Sequence, residues 1–178
     1  MPAPVFPSPD SPDADAAMTP PEIITRYADA FAALSPDNMD DLLATVSPDV
    51  RFVDPFNDVT GHDGFRAIFT HMFETCEEPR FHIIDIASSA SPSTGPSDGP
   101  AGDRRAYLRW RMSGRVRGWP RTELNLEGMS EVHVGEDGLI CLHIDHWDSA
   151  SQLLARLPVI GAMIRPVLRL FRVRSGGR

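Results

Sequence analysis

The chain has 178 residues, a length that fits one domain with a sizeable core, and its 42% apolar content excludes global disorder. Its formal charge of −8 is unevenly placed: residues 149 to 178 hold six Arg and no Asp or Glu, about +6, which leaves about −14 on residues 1 to 148, an acidic body that excludes general nucleic-acid binding. Cys76 and Cys141 lie far apart without C-x-x-C spacing, and the N-terminus lacks a basic flank with an apolar run; the expectation is a cytoplasmic protein with free thiols and no membrane span.

In chain order, residues 1 to 18 are rich in Pro, Ala and Asp and read as a disordered extension. Thr19-Pro20-Pro21-Glu22 forms a capping box, and a helix to about Leu34 follows, with Ile23, Tyr27, Ala30, Phe31 and Leu34 on one face. Ser35-Pro36 opens a short second helix through Leu42 and Leu43, which Ser47-Pro48 ends. Residues 50 to 54 predict a short strand. Residues 61 to 77 predict a third helix, with Phe65, Ile68, Phe69, Met72 and Phe73 at helical spacing. Residues 79 to 87 predict a strand with apolar residues on both faces, and 88 to 103 a low-complexity flexible insert. Strands over 104–117, 121–134 and 138–148 follow, the last two joined by a Gly135-Glu136-Asp137-Gly138 turn. Residues 149 to 172 read as helical, interrupted by Pro158 and Pro166. Helices segregated from an antiparallel sheet make the class α+β.

This order resembles the NTF2-like superfamily, in its SnoaL-like and ketosteroid-isomerase-like branch. The resemblance rests on ITRYADAF in the first helix, FVDPFNDVTGHDGFRAIF after the second, and EVHVGEDGLICLHIDHWD at the closing hairpin. It covers roughly residues 20 to 150, so the domain is expected over 19–150 with a basic helical tail over 151–178. It implies a cone: a curved antiparallel sheet wrapped around the N-terminal helices, with a pocket at the open end.

Strand alternation then sorts the side chains. Leu108, Trp110 and Met112 share one face of their strand, and Leu124, Leu126, Gly128 and Ser130 share the apolar face of the next. His143, Asp145 and Trp147 share a face of the last strand. With Phe31, Phe56, Phe69 and Phe73, the expected wall is apolar, and Tyr27, Asp54, Ser130, His143 and Asp145 are its polar groups. Apolar walls with few convergent polar groups describe a small-molecule site. The opposite face of the 104–117 strand carries Arg109, Arg111, Arg115 and Arg117, expected to pair with Glu123, Glu127 and Glu131.

Asp54 follows Phe52 and precedes Pro55 and Phe56. It reads as a pocket acid whose charged form the aromatics disfavour, suited to a general base; the competing reading is a strand-end residue that closes a turn through an Asx bond. The resemblance aligns Asp54 with the catalytic base of ketosteroid isomerases and Tyr27 with their oxyanion-binding tyrosine. Their second oxyanion acid falls at Ser130, a departure from that family. The resemblance to epoxide hydrolases of the same fold matches Asp145 to one of their acids but leaves the Asp-Arg-Asp set incomplete. SnoaL-like cyclases use an inward acid, a role open to Asp54, His143 or Asp145. His143 and His146 face opposite ways on a strand and are not read as a metal pair, and no cofactor is expected.

Three functions stay open: a cofactor-independent acid–base isomerase or cyclase, a non-catalytic carrier of a lipid-like or polycyclic ligand, and a dimeric interaction module. A homodimer is expected through Leu142, Ile144, Ile84 and Ile86 on the outer sheet face. The tail is a basic amphipathic segment, expected to dock on its own domain or a partner subunit, with peripheral membrane contact second.

Overall fold

The computed structural model describes residues 22–89, 104–118 and 121–171. The N-terminal extension, Thr19 to Pro21 of the capping box, residues 90–103 of the insert, and Arg172, Arg174 and Arg178 lie outside the described residues. The fold is α+β, with a curved, unclosed six-stranded sheet packed against helices.

Helix α1 (Glu22–Ala32) buries Ile24, Tyr27, Ala28 and Phe31, which recur at the spacing of a single helix face. Helix α2 (Met39–Leu43) is short. Strand β1 (Val46–Val53) turns back at 54–57 into β2 (Asp58–Thr60), a three-residue strand without a signal of its own in the sequence. Helix α3 (Gly61–Thr75) buries Phe65 and Phe69 and runs directly into β3 (Cys76–Ser88). Strands β4 (Arg104–Val116), β5 (Glu123–Val134) and β6 (Ile140–Trp147) complete the expected meander. The sheet order is β2-β1-β6-β5-β4-β3; β1 lies parallel to β6, and every other pairing is antiparallel.

The curvature has local causes. Register shifts interrupt β1–β6, β3–β4 and β5–β6, and such irregularities bend and twist a strand. Glu78, at φ 49°, sits in the first β3 irregularity. The second lies between Ile83 and Asp85 and reverses the alternation. Ile86 therefore faces inward onto the core, not outward with Ile84 as simple alternation places it.

The core fills the concave side, where Phe52, Phe65, Leu108, Val132 and Ile140 are almost fully buried. Each such side chain stabilises the fold by about 1.5–3 kcal/mol relative to leaving it in water. On the convex side Arg111 pairs with Glu127 at 2.5 Å and Arg115 with Glu123 at 2.7 Å, the Arg–Glu ladder expected from the sequence. The β5–β6 turn is closed by Gly138 at φ 80°, a conformation that favours glycine. Asp137 takes the Leu139 amide and the Ser47 hydroxyl there, at 3.0 and 2.7 Å.

Asp148 caps helix α4 (Ser149–Gln152) by accepting from the Ser151 amide. β6 ends at Trp147, so Glu127 of β5, which pairs with Arg111 of β4 on one side, has no strand partner on the other. Gln152 supplies one: Glu127 N–H donates to its Oε1 at 2.7 Å, and its Nε2 donates to the Glu127 carbonyl at 2.9 Å. A single 3-10 turn, η1 (Leu154–Arg156), leads to helix α5 (Pro158–Leu170). Pro158 opens α5 at its first turn, where no backbone donor is needed. Pro166 sits inside α5 and does not interrupt it; Pro166 and Ala162, whose carbonyl it leaves without a helical partner, are both exposed.

Candidate functional site

Tyr27 of α1 and four inward side chains of the concave sheet face form one hydrogen-bonded chain. The Tyr27 hydroxyl lies 2.6 Å from His143 Nδ1, and His143 Nε2 lies 2.8 Å from Asp145 Oδ1. From the other side Trp110 Nε1 donates to Ser130 Oγ at 2.8 Å, and Ser130 Oγ donates to the same Asp145 oxygen at 2.5 Å. One proton arrangement satisfies all four bonds: Tyr27 donates to Nδ1, Nε2–H donates to Asp145, and both branches converge on its carboxylate. Asp145 Oδ2 accepts no hydrogen bond among the described residues.

The packing fixes this chain in place. The His143 ring lies between Phe31 and Phe52, stacked on both at centroid distances of 5.6 and 4.8 Å. His143 is 1% exposed and Tyr27 0%. Burial, and then the Asp145 charge, hold the Tyr27 hydroxyl well above its usual titration range, so it stays a neutral donor. Trp110 reaches Ser130 only because position 128 is glycine: a Cβ there would stand 2.5 Å from the indole and 2.9 Å from Trp147 Cβ.

Asp145 also lines a cavity of 240 Å³. Phe31, Phe52 and Phe69 form its inner wall, Trp110, Met112 and Leu126 its sheet wall, and Phe56 and Trp147 its rim. Phe56 and Trp147 meet edge to face at 5.8 Å. Larger hollows exist but are poor sites. The 720 Å³ trough beside Glu77, Arg115 and Glu123 is lined mainly by charged side chains, and Arg115 there pairs with both glutamates.

Asp54 lines the cavity and also closes the β1–β2 turn. Its Oδ1 accepts from the Phe56 and Asn57 amides, both at 2.7 Å, and from Asn57 Nδ2 at 3.0 Å. Asp54 thus borders the cavity and forms the Asx turn at once. Tyr27, His143 and Ser130 stand behind Asp145, not on the cavity surface. Leu108 is buried in the core. Phe73 looks away from the cavity, into a hollow beside Pro36, Met39 and Arg66. His146 is half exposed on the convex face, opposite to His143. Burial raises the thiol of Cys76, another lining residue, above its usual range.

The sequence reading placed Phe69 of α3 in the wall but missed the rest of the lining that α3 supplies. Ile68, His71, Met72 and Thr75 reach the cavity from its C-terminal half. Their 3- and 4-residue spacing marks one helix face, and the polar His71 and Thr75 within it were the available signal. Leu153, from the start of the tail, closes another part of the lining.

No curated protein matches the sequence. Solved structures share the fold. A protein from Catenulispora acidiphila with a ketosteroid-isomerase-like fold, solved in complex with trimethylamine, is 18% identical, with TM-score 0.59 over 79% of this chain and 96% of that one. An NTF2-like protein of unknown function from Exiguobacterium is 20% identical, with TM-score 0.56 over 71% and 98%. A candidate polyketide cyclase from Silicibacter is 24% identical, with TM-score 0.53 over 72% and 88%. At these identities the likeness is one of fold. Residues 24–143 match the SnoaL-like domain family, which is more than half of the chain, and the chain belongs to that family.

Proposed function

We propose that the protein is a cofactor-independent acid–base enzyme of the isomerase or cyclase type, acting on a small, largely apolar carbonyl compound, with Asp145 as the general base. The observation that carries this reading is the pair of facts about Asp145: it lines the apolar cavity, and among the described residues donors hold only one of its two oxygens. A carboxylate so held keeps its orientation while its second oxygen can take a proton. In the reaction, Oδ2 takes the proton alpha to the carbonyl, the C–H electrons pass into an enolate, and the proton returns to another carbon or to oxygen. His143 and Ser130 orient the base, and Tyr27 holds His143 in the required tautomer; these three are positioning residues. Asp54 shapes the rim through its turn. The description of a structural neighbour as a candidate polyketide cyclase accords with enolate chemistry.

The second reading is a carrier of the same class of ligand. It is favoured by Ser130, which stands where a second acid would serve an isomerase. A panel of small β,γ-unsaturated ketones, followed by the ultraviolet absorbance of the conjugated product, separates the two. Asp145→Asn is expected to lower turnover by about 100-fold or more, with ligand binding kept, and Asp54→Asn is expected to act mainly on stability. Undiminished turnover in Asp145→Asn would remove it as the base. Binding without turnover in the unaltered protein would establish the carrier.

A further inference from the structure

Helix α5 presents a wide apolar face to solvent. Val159, Met163, Leu170 and Phe171 are 73–80% exposed, and Ile160 and Val167 add to the same arc. The opposite side turns toward the protein: Gly161 is buried against the Ala155 carbonyl, and Arg165 Nη1 donates to that carbonyl at 2.9 Å. The substantial contacts of α5 among the described residues are with η1 and α4, so no strand covers the apolar arc. The charges around it have one sign. Arg156, Arg165 and Arg169 are exposed, Arg172, Arg174 and Arg178 follow in sequence, and no acid occurs from residue 149 onward.

We infer that α5 is a docking helix for an anionic lipid surface, lying in the headgroup plane with its apolar arc inserted and its arginines among the headgroups. An outward apolar arc backed by arginines alone is the pattern of an interfacial helix. Charge complementarity selects the occupant. A second copy of α5 would cover the apolar arc but bring two arginine-only helices together, whereas an anionic surface answers both features at once. The acidic body is repelled by the same surface, so the molecule can approach it only tail first. At 13 residues the helix is too short to span a bilayer, and no described helix is long and apolar enough to do so. This inference does not depend on Asp145 chemistry.

Co-sedimentation of the full chain with vesicles tests it. Vesicles containing phosphatidylglycerol are expected to bind the chain, with binding that falls as salt rises, while vesicles of phosphatidylcholine alone bind little. Met163→Glu with Leu170→Glu, both at exposed positions that should leave the fold intact, is expected to lower binding on the order of tenfold or more, as is Arg165→Glu with Arg169→Glu. An absence of vesicle binding overturns the inference. So does equal, salt-insensitive binding to both lipids. Sedimentation velocity covers the competing occupant: if the unaltered chain self-associates, ignores vesicles, and becomes smaller in the Met163→Glu, Leu170→Glu variant, the face belongs to a second copy.

Discussion

At the scale of single residues, the site depends on contacts that tolerate no added atom. Gly128 is the sharpest case, because the Trp110 indole occupies the space a methyl group would need. Gly128→Ala must push Trp110 aside and with it the bond to Ser130 that steadies Asp145. We expect a loss of about 1–3 kcal/mol in stability, measured by urea unfolding, together with altered tryptophan fluorescence. Unchanged stability and emission would show that the indole has another place to go. His143 illustrates how far sequence can reach. Alternation put it on the concave face with Asp145 and Trp147, as the structure has it. Its bond to Tyr27, 116 positions earlier, depends on where α1 docks, which strand parity does not encode. Asp54 was legible in both its features, Asp-Pro-Phe-Asn turn chemistry and aromatic neighbours, but only three-dimensional geometry shows that one carboxylate serves both.

At the scale of elements, the long strands were readable because alternation over a dozen residues is a strong signal. β2 was not, since three residues carry no period. The irregularity at Ile83–Asp85 was hidden for a different reason: apolar residues on both faces of β3 allow either parity. The β5–β6 hairpin, by contrast, was announced by its Gly turn, and it carries a titratable lock. The Leu139 amide, and next the Ser47 hydroxyl, hold the Asp137 carboxyl below its ordinary value of 3.8. A depressed folded value stabilises the fold above the unfolded value and loses that contribution as pH falls through the folded one. We therefore expect acid unfolding below about pH 4 to be less steep in Asp137→Asn, whose neutral amide no longer gains from ionisation. Denaturation followed by circular dichroism from pH 6 to 2 would show it; identical profiles would mean that Asp137 contributes nothing to the acid limb.

At the scale of the whole molecule, the convex face is largely a ladder of ion pairs, with Met129, Leu142 and Ile144 as apolar positions among them. We propose that two copies pair through this face, using a smaller apolar set than simple alternation suggested, since Ile86 belongs to the core. Sedimentation equilibrium at micromolar concentration should give twice the chain mass of 19.6 kDa, and Ile144→Asp should give the single mass. A monomeric unaltered chain would refute this pairing. Such a dimer leaves α5 free, because its exposed arc lies on the tail and not on the sheet.

The glutamine that stands in for a strand beside Glu127 has a consequence for access to the interior. A true strand is held by a cooperative ladder and leaves only when the sheet melts; an amide side chain can let go alone. Release of Gln152 would carry Leu153 away from the cavity and remove no bond between strands. The molecule thus has an inexpensive way to widen its entrance: a latch of two hydrogen bonds, set where the acidic body meets its basic tail, so that a pull on the tail is felt first at the door.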